Sequence, residues 1–293
     1  MTDSFDHLFP ASREIAALSP EERIRRIRVD RWVDYPRARL ALGKLADLMA
    51  FPPRARMPNL LIVGASGMGK TMIVEKFARD HPVSFDEASG LKRMPVLVVQ
   101  MVSGPDEGRF YKRLLAAMGA PEPARATVGS LESKALRLLS EMRPNLLVID
   151  EVHSLRAGTV REQMRFLNLL RFLGNELRIP LVCLGTQEAR SALKTDEQLV
   201  RRFEAFALPQ WRNDENFEGL IGSLLRTLPL RRESENGDRM LKRILDLTDG
   251  ITAGIFQLMA NLAVAAIESG EERLVGAAFE DSRSVAASLG ETV

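Results

Sequence analysis

Leu60-Leu61-Ile62-Val63-Gly64-Ala65-Ser66-Gly67-Met68-Gly69-Lys70-Thr71 is the stretch that decides the fold. Its apolar start reads as a buried strand, and the strand runs straight into a glycine-rich turn ending in Gly-Lys-Thr. This is the complete G-x-x-x-x-G-K-[ST] pattern of a phosphate loop, in the strand-to-helix setting that the loop requires. Glycines let successive backbone N–H groups curl around a polyphosphate. Gly64, Ala65, Ser66, Gly67, Met68, Gly69, Lys70, Thr71 and Met72 are therefore the expected nucleotide-binding segment. Lys70 places a point charge on the β/γ-phosphates. Thr71 offers a hydroxyl to Mg²⁺ at a helix N-terminus, where the dipole also favours anions. ATP and Mg²⁺ are the expected cofactors.

About 80 residues later, Asn145-Leu146-Leu147-Val148-Ile149-Asp150-Glu151 reads as a second buried strand, ending in two carboxylates. Asp150 occupies the place of a Walker B aspartate, which holds the metal's ligand shell, and Glu151 that of a base for the attacking water. A kinase on such a loop passes phosphoryl to a bound acceptor and needs no adjacent water-activating Glu. The Asp-Glu pair therefore favours hydrolysis, and the expected activity is that of an ATPase.

The bulk composition narrows the rest. Of 293 residues, 45% are hydrophobic, which is ordinary for a globular core. Forty-one basic residues nearly balance 39 acidic ones, so any nucleic-acid surface must be a local patch. Basic residues crowd 23–56, a run that reads as a solvated helix face. The single cysteine, Cys183, excludes an internal disulfide and lies in an apolar run as strand filler. Three scattered histidines lack metal-ligand spacing. No segment reaches 18 apolar residues and no signal-peptide pattern opens the chain, so the expectation is a cytoplasmic protein without a membrane partner.

Along the chain, residues 1–19 read as a loosely ordered start. Ser19-Pro20-Glu21-Glu22 then opens a basic helix reaching about Val29, and 37–50 form a second helix. Strands are expected at 60–64, 95–101, 145–150, 180–185 and 204–208. Helices are expected at 70–80, 107–118, 130–142, 160–177 and 188–194. This alternation argues for an α/β fold, a mostly parallel sheet between helices. After Trp211 the strand signals stop, and 214–227, 237–248, 253–269 and 276–288 read as a small all-helical C-terminal lid. The expected division is an N-terminal helical segment over 1–45, an ATPase core over 46–211 and a lid over 212–293.

Two further elements carry chemistry. The strand Leu181-Val182-Cys183-Leu184-Gly185 ends in Thr186 and Gln187, which can sense the γ-phosphate or the water from the strand tip. Thr186 reads equally well as the N-cap of the next helix. Past it, Val200-Arg201-Arg202-Phe203 offers an arginine able to project into a neighbouring subunit's nucleotide. The alternative is a surface ion pair.

In this order, the phosphate loop, the LLVIDE strand, the LVCLGT strand, the arginine-phenylalanine element and the helical lid resemble an AAA+ ATPase. The blocks at 56–71, 146–155, 163–189 and 196–211 resemble the TniB family of transposition ATPases, relatives of TnsC, MuB and IstB, over about residues 20–270. The resemblance implies a P-loop AAA+ core and an ATP-dependent regulator of transposition. Such a protein assembles as a homo-oligomeric ring or filament on double-stranded DNA and delivers it to a DDE-type transposase, with a TniQ-type adaptor as a further partner. It also implies that Arg202, the residue before Phe, is the trans arginine. One departure stands out: Gly250 to Ile255, matching the lid helix that usually offers an arginine to the γ-phosphate, contains none.

For DNA phosphates the candidates are Arg109, Lys112, Arg113 and Arg156, with Arg161 and Arg165 beyond. Asp150-Glu151-Val152-His153 also spells a D-E-x-H box. A helicase needs a second motor domain, and about 140 residues remain, too few once the lid is subtracted. The surviving alternatives are a helicase-loader ATPase of the IstB/DnaC type and a nucleotide-dependent signalling switch that does not act on DNA.

Overall fold

A computed structural model describes residues 5–87, 90–121 and 125–280. The elements run α1 (Pro10–Ala16), α2 (Pro20–Ile27), α3 (Pro36–Met49), β1 (Asn59–Gly64), α4 (Lys70–Asp80), β2 (Ser84–Asp86), β3 (Leu91–Arg93) and β4 (Val96–Gln100). Then come α5 (Glu107–Ala117), α6 (Val128–Met142), β5 (Leu146–Asp150), a 3-10 turn (Val152–Ala157), α7 (Val160–Leu177) and β6 (Leu181–Gly185). The chain continues through α8 (Gln187–Leu193), α9 (Glu197–Val200), β7 (Phe203–Leu208), α10 (Glu215–Thr227), α11 (Asp238–Thr248) and α12 (Thr252–Glu268), and a second 3-10 turn covers Gly276–Phe279.

Contacts divide the chain into two units, one of residues 40–66 and 70–209, the other of 1–39, 67–69 and 210–293. The first is built on a five-stranded sheet in the order β4-β5-β6-β1-β7. Every pairing in it is parallel. The inner strands β5, β6 and β1 are buried almost throughout because both faces are covered, as parallel sheets demand, while the edge strand β7 is partly exposed. Odd-numbered residues (Leu61 and Val63, Leu97 and Val99, Leu147 and Ile149, Leu181 and Cys183) join one buried cluster with α5, α6, α7 and α8. This follows from the two-residue side-chain period of a strand. Phe110 of α5 meets Phe166 of α7 edge-to-face at 5.1 Å, the geometry that aromatic quadrupoles prefer. On the even-numbered side, α4 touches β1 and β6 and buries Ile73, Val74 and Phe77. Cys183 is fully buried, and burial pushes its thiol pKa up.

Helix starts follow local chemistry. Thr159 and Glu162 form a reciprocal capping box at α7, and Asp106 and Thr127 cap α5 and α6. The register of β1 with β7 runs from Asn59↔Phe203 to Gly64↔Leu208, so β1 and β7 start at one sheet edge and end at the other. Asn59 fixes the starting edge. Its buried side-chain oxygen accepts from Leu181 N–H at 2.9 Å, and its own N–H donates to Arg202 C=O at 2.8 Å.

The second unit is helical. Within it α2 packs on α12, Ser12 Oγ donates to Thr227 C=O at 2.9 Å, and Arg23 grips Glu272 through two bonds of 2.7 Å.

Several expectations need correction. Residues 10–16 form a helix with Leu8 and Ala16 fully buried, where a loosely ordered start was expected. Proline at its first position fixed φ there, and the apolar residues supplied a packing face. Arg23 is fully buried and not part of a solvated face. The hairpin β2–β3 was not foreseen, because three-residue strands carry too little period to read. Of the helix expected at 276–288, Gly276–Phe279 is a 3-10 turn, while 281–288 lie outside the described residues. No single helix among the described residues is long and apolar enough to cross a membrane.

Candidate nucleotide-binding site

β1 delivers Gly64 to the sheet's carboxyl edge, and α4 begins at Lys70. Between them Gly67 and Gly69 take φ of +75° and +83°, left-handed values that residues with a Cβ adopt only with strain. Lys70 is nearly buried, and its Nζ donates to Gly64 C=O at 3.0 Å and Ala65 C=O at 2.8 Å. Burial lowers its pKa, partly opposed by the charges of Asp150 and Glu151. The ammonium is thus held inside the loop's own curl, facing two carboxylates.

Thr71 and Asp150, 79 positions apart, meet here: Thr71 Oγ1 donates to Asp150 Oδ2 at 2.6 Å. The other carboxylate oxygen, Oδ1, accepts from Glu151 N–H at 2.7 Å. Asp150 is therefore oriented by both of its neighbours. Hydroxyl and carboxylate oxygens side by side suit a hard cation such as Mg²⁺, which is commonly bound through one or two carboxylates plus substrate phosphates. No group of three or more His, Cys, Asp or Glu side chains that could hold a metal ion exists among the described residues.

Glu151 is left-handed, at φ 61° and ψ 34°, although it is not glycine. This turn swings the chain off β5 into the 3-10 segment, and the half-exposed Glu151 carboxylate lies 3.0 Å from His153 Nε2. Thr186 ends the neighbouring strand β6. Its side chain makes no cap bond to α8, and its Oγ1 is buried without a partner. The capping alternative is thus not what the hydroxyl does. Gln187 opens α8 and is exposed.

Arg202 stands elsewhere. It precedes β7 at the sheet edge where β1 starts, and its guanidinium donates to Asn175 Oδ1 on α7 at 2.8 Å. The six residues of β1 span about 20 Å. Arg202 is therefore not gathered with Lys70, Thr71 and Asp150. Arg109 lies in the first turn of α5 after β4, and Arg156 lies in the 3-10 turn after β5, both exposed at the carboxyl edge. Gly158 and Pro105 bring these two loops together, since a Cβ at Gly158 would sit 2.4 Å from Pro105. Arg113 is one turn beyond Arg109 on the same face, and Lys112 beside it is half-buried.

Sequence reasoning missed the part that three contributors play. Gly185 admits no side chain, because a Cβ there would fall 2.5 Å from that of Ala189. His153 engages Glu151. Asn59 pins strand starts, and its one visible signal was an amide heading an apolar run. Inside the helical unit, residues 67–69 are held by Ala253 N–H donating to Gly67 C=O at 2.9 Å. Nearby Trp211 Nε1 donates to Thr252 Oγ1 at 3.0 Å, and Tyr35 meets the Trp211 ring edge-on at 5.1 Å. Burial pushes the Tyr35 pKa up to about 12.

The parallel sheet, the phosphate loop at its carboxyl edge and the helical C-terminal part define a P-loop protein of the AAA+ ATPase fold. The model described as "Bacterial TniB protein" matches residues 23–213, and the chain belongs to that TniB family. A comparison with curated proteins gives no match. Among solved structures, Orc1 of Aeropyrum pernix in complex with DNA is similar at a TM-score of 0.60 and 17% identity, covering 95% of this chain and 68% of that one. Cdc6p of Pyrobaculum aerophilum is similar at 0.59 and 17%, covering 85% and 67%. The ADP form of Aeropyrum pernix ORC2 is similar at 0.60 and 16%, covering 89% and 72%.

Proposed function

We propose that this protein binds and hydrolyses ATP, and that it uses the nucleotide to assemble on double-stranded DNA and hand a target site to a DDE-type transposase. The observation that carries the ATPase reading is the 2.6 Å bond between Thr71 and Asp150, which joins the phosphate loop to the carboxylate strand. Membership of the TniB family supports the role in transposition and, with it, a TniQ-type adaptor as partner. DNA as ligand is supported by the similar Orc1 of Aeropyrum pernix and Drosophila ORC, whose structures are complexes with DNA.

In this reading the loop N–H groups of 64–72 and Lys70 bind the phosphates. Thr71 and Asp150 would hold Mg²⁺, which when bound neutralises charge on the phosphate oxygens. Glu151 orients the attacking water and takes its proton. Thr186, whose hydroxyl lacks a protein partner, and Gln187 stand at the strand tip where the γ-phosphate or water can be sensed. Arg202 acts on a neighbour's nucleotide, because roughly 20 Å of strand separates it from its own loop. This reading requires a homo-oligomer. Arg109, Lys112, Arg113 and Arg156 contact DNA phosphates.

Glu151→Gln tests the proposal. ATP affinity should persist, since Lys70, Thr71 and Asp150 are untouched, while turnover should fall about 10²–10⁴-fold. DNA complexes formed with ATP should live longer. A variant that hydrolyses ATP like the parent removes Glu151 as the base.

A further inference from the structure

We propose that His153 is the positioning residue for Glu151, holding its carboxylate in the pose from which it serves the attacking water. The inference rests on the assignment of Glu151 as the base.

Its starting point is the contact of 3.0 Å between His153 Nε2 and Glu151 Oε2. The ring nitrogen is the side that can donate there, since a carboxylate oxygen accepts. The contact is short-range in sequence, but its geometry is imposed from outside. Glu151 sits in the left-handed region at φ 61°, a conformation that a residue with a Cβ keeps only when its surroundings enforce it. The 3-10 turn enforces it here. Val152 and Leu155 anchor that turn in the core, fully buried, and leave Glu151 and His153 half-exposed on its other side. The turn rests on the neighbouring strand: the His153 N–H nitrogen is 3.4 Å from where a Cβ at Gly185 would stand. That is ordinary van der Waals contact, so the histidine backbone lies directly against the strand.

A second observation separates this histidine from an incidental surface pair. His153 Nδ1 is buried and has no hydrogen-bond partner, as is Oγ1 of Thr186, the residue after Gly185. Buried polar atoms are almost always satisfied, so two such atoms on adjoining strand ends are unusual. The ring thus sets one nitrogen against the base and keeps the other buried. A residue retained only for packing would have no need of the first contact, and an apolar side chain would avoid the cost of the second atom.

The test uses the full chain and single-turnover hydrolysis of ATP, with nucleotide affinity measured in parallel. His153→Ala should lower the hydrolysis rate about 10- to 100-fold, a part of the full worth of a general base. ATP affinity should stay within twofold of the parent. His153→Gln, which keeps an N–H donor at the position of Nε2, should recover most of the rate. The double variant Glu151→Gln with His153→Ala should be no slower than Glu151→Gln alone, because the histidine acts only through the glutamate. Parent-like hydrolysis by His153→Ala beside an inactive Glu151→Gln overturns the proposal and leaves the base assignment standing. Loss of ATP binding in both His153 variants makes the residue merely structural and also overturns it. Hydrolysis by Glu151→Gln at the parent rate instead sinks the base assignment itself.

Discussion

The two edges of the central sheet carry opposite kinds of polar chemistry. At the carboxyl edge, Lys70, Thr71, Asp150 and Glu151 are bonded to one another or to the loop, and charge is concentrated within a few ångströms. At the amino edge, Asn59, Asn175 and Arg202 form a sparser set in which the Arg202 guanidinium donates to a neutral amide. A cation bonded to a neutral side chain loses little when it changes partner, whereas one paired with a carboxylate must first break a charge-assisted bond. In the proposed reading the carboxyl edge binds the nucleotide, and the amino edge holds the cation that reaches a neighbouring subunit.

The sharpest way to break this comparison is to injure each edge separately. Lys70→Ala should abolish tight ATP binding, because the loop loses its only cation; calorimetric titration reads it directly. Arg202→Ala should leave ATP binding by the single subunit nearly intact but lower assembly-stimulated hydrolysis by about 10³–10⁵-fold, the range known for trans arginines. Mixing the two variants should restore some activity, since each supplies the edge that the other lacks. Co-assembly with no restored turnover would mean that Arg202 is structural.

A milder test concerns the exposed cations near the carboxyl edge. Affinity for duplex DNA should require ATP and fall with salt, with a log–log slope of about −0.9 per phosphate contact. Reversing the charge of Lys112 and Arg113 together should flatten that slope by up to about two such units. Binding that ignores both ATP and salt would instead favour a switch that does not act on DNA.

The smallest effect on function, though not on stability, is expected in the helical unit at Arg23 and Glu272. Arg23→Ala strands a largely buried carboxylate, and loss of one member of such a pair costs about 3–5 kcal/mol. Chemical denaturation checks it. Burial alone would raise the Glu272 pKa, but the bonds and charge of Arg23, together with the N–H and charge of Arg231, outweigh burial and hold the carboxyl below its ordinary value of 4.5. A carboxylate with a depressed folded pKa stabilises the protein above the unfolded pKa. That contribution is lost as pH falls through the folded value. Melting curves of the parent should therefore lose this stability below about pH 4.5, and Glu272→Gln should be less sensitive there.

Much of the architecture was legible because its signals are local. The apolar runs at 60–63, 146–149 and 181–184 could only be strands covered on both faces, and all three form within a residue of their expected bounds. The phosphate loop was legible because glycine at 67 and 69 and lysine at 70 answer a backbone demand that few other residues meet. Arg23 was misread because a charge run looks solvated until its partner, 249 positions away, is placed.

What the sequence determined by itself was therefore the order of the core strands and their connecting helices, the parallel sheet and the residues of the loop, since these depend on periodicity and on steric limits within a few positions. What only the tertiary structure decided was who meets whom: Thr71 with Asp150, Arg23 with Glu272, Asn59 with the starts of two strands, and Arg202 on the edge away from its own loop. Even His153 with Glu151, two positions apart, needed the left-handed turn that packing of Val152 and Leu155 imposes. Such pairings are set by how strands align and which faces are buried, and no local property of the chain encodes that alignment.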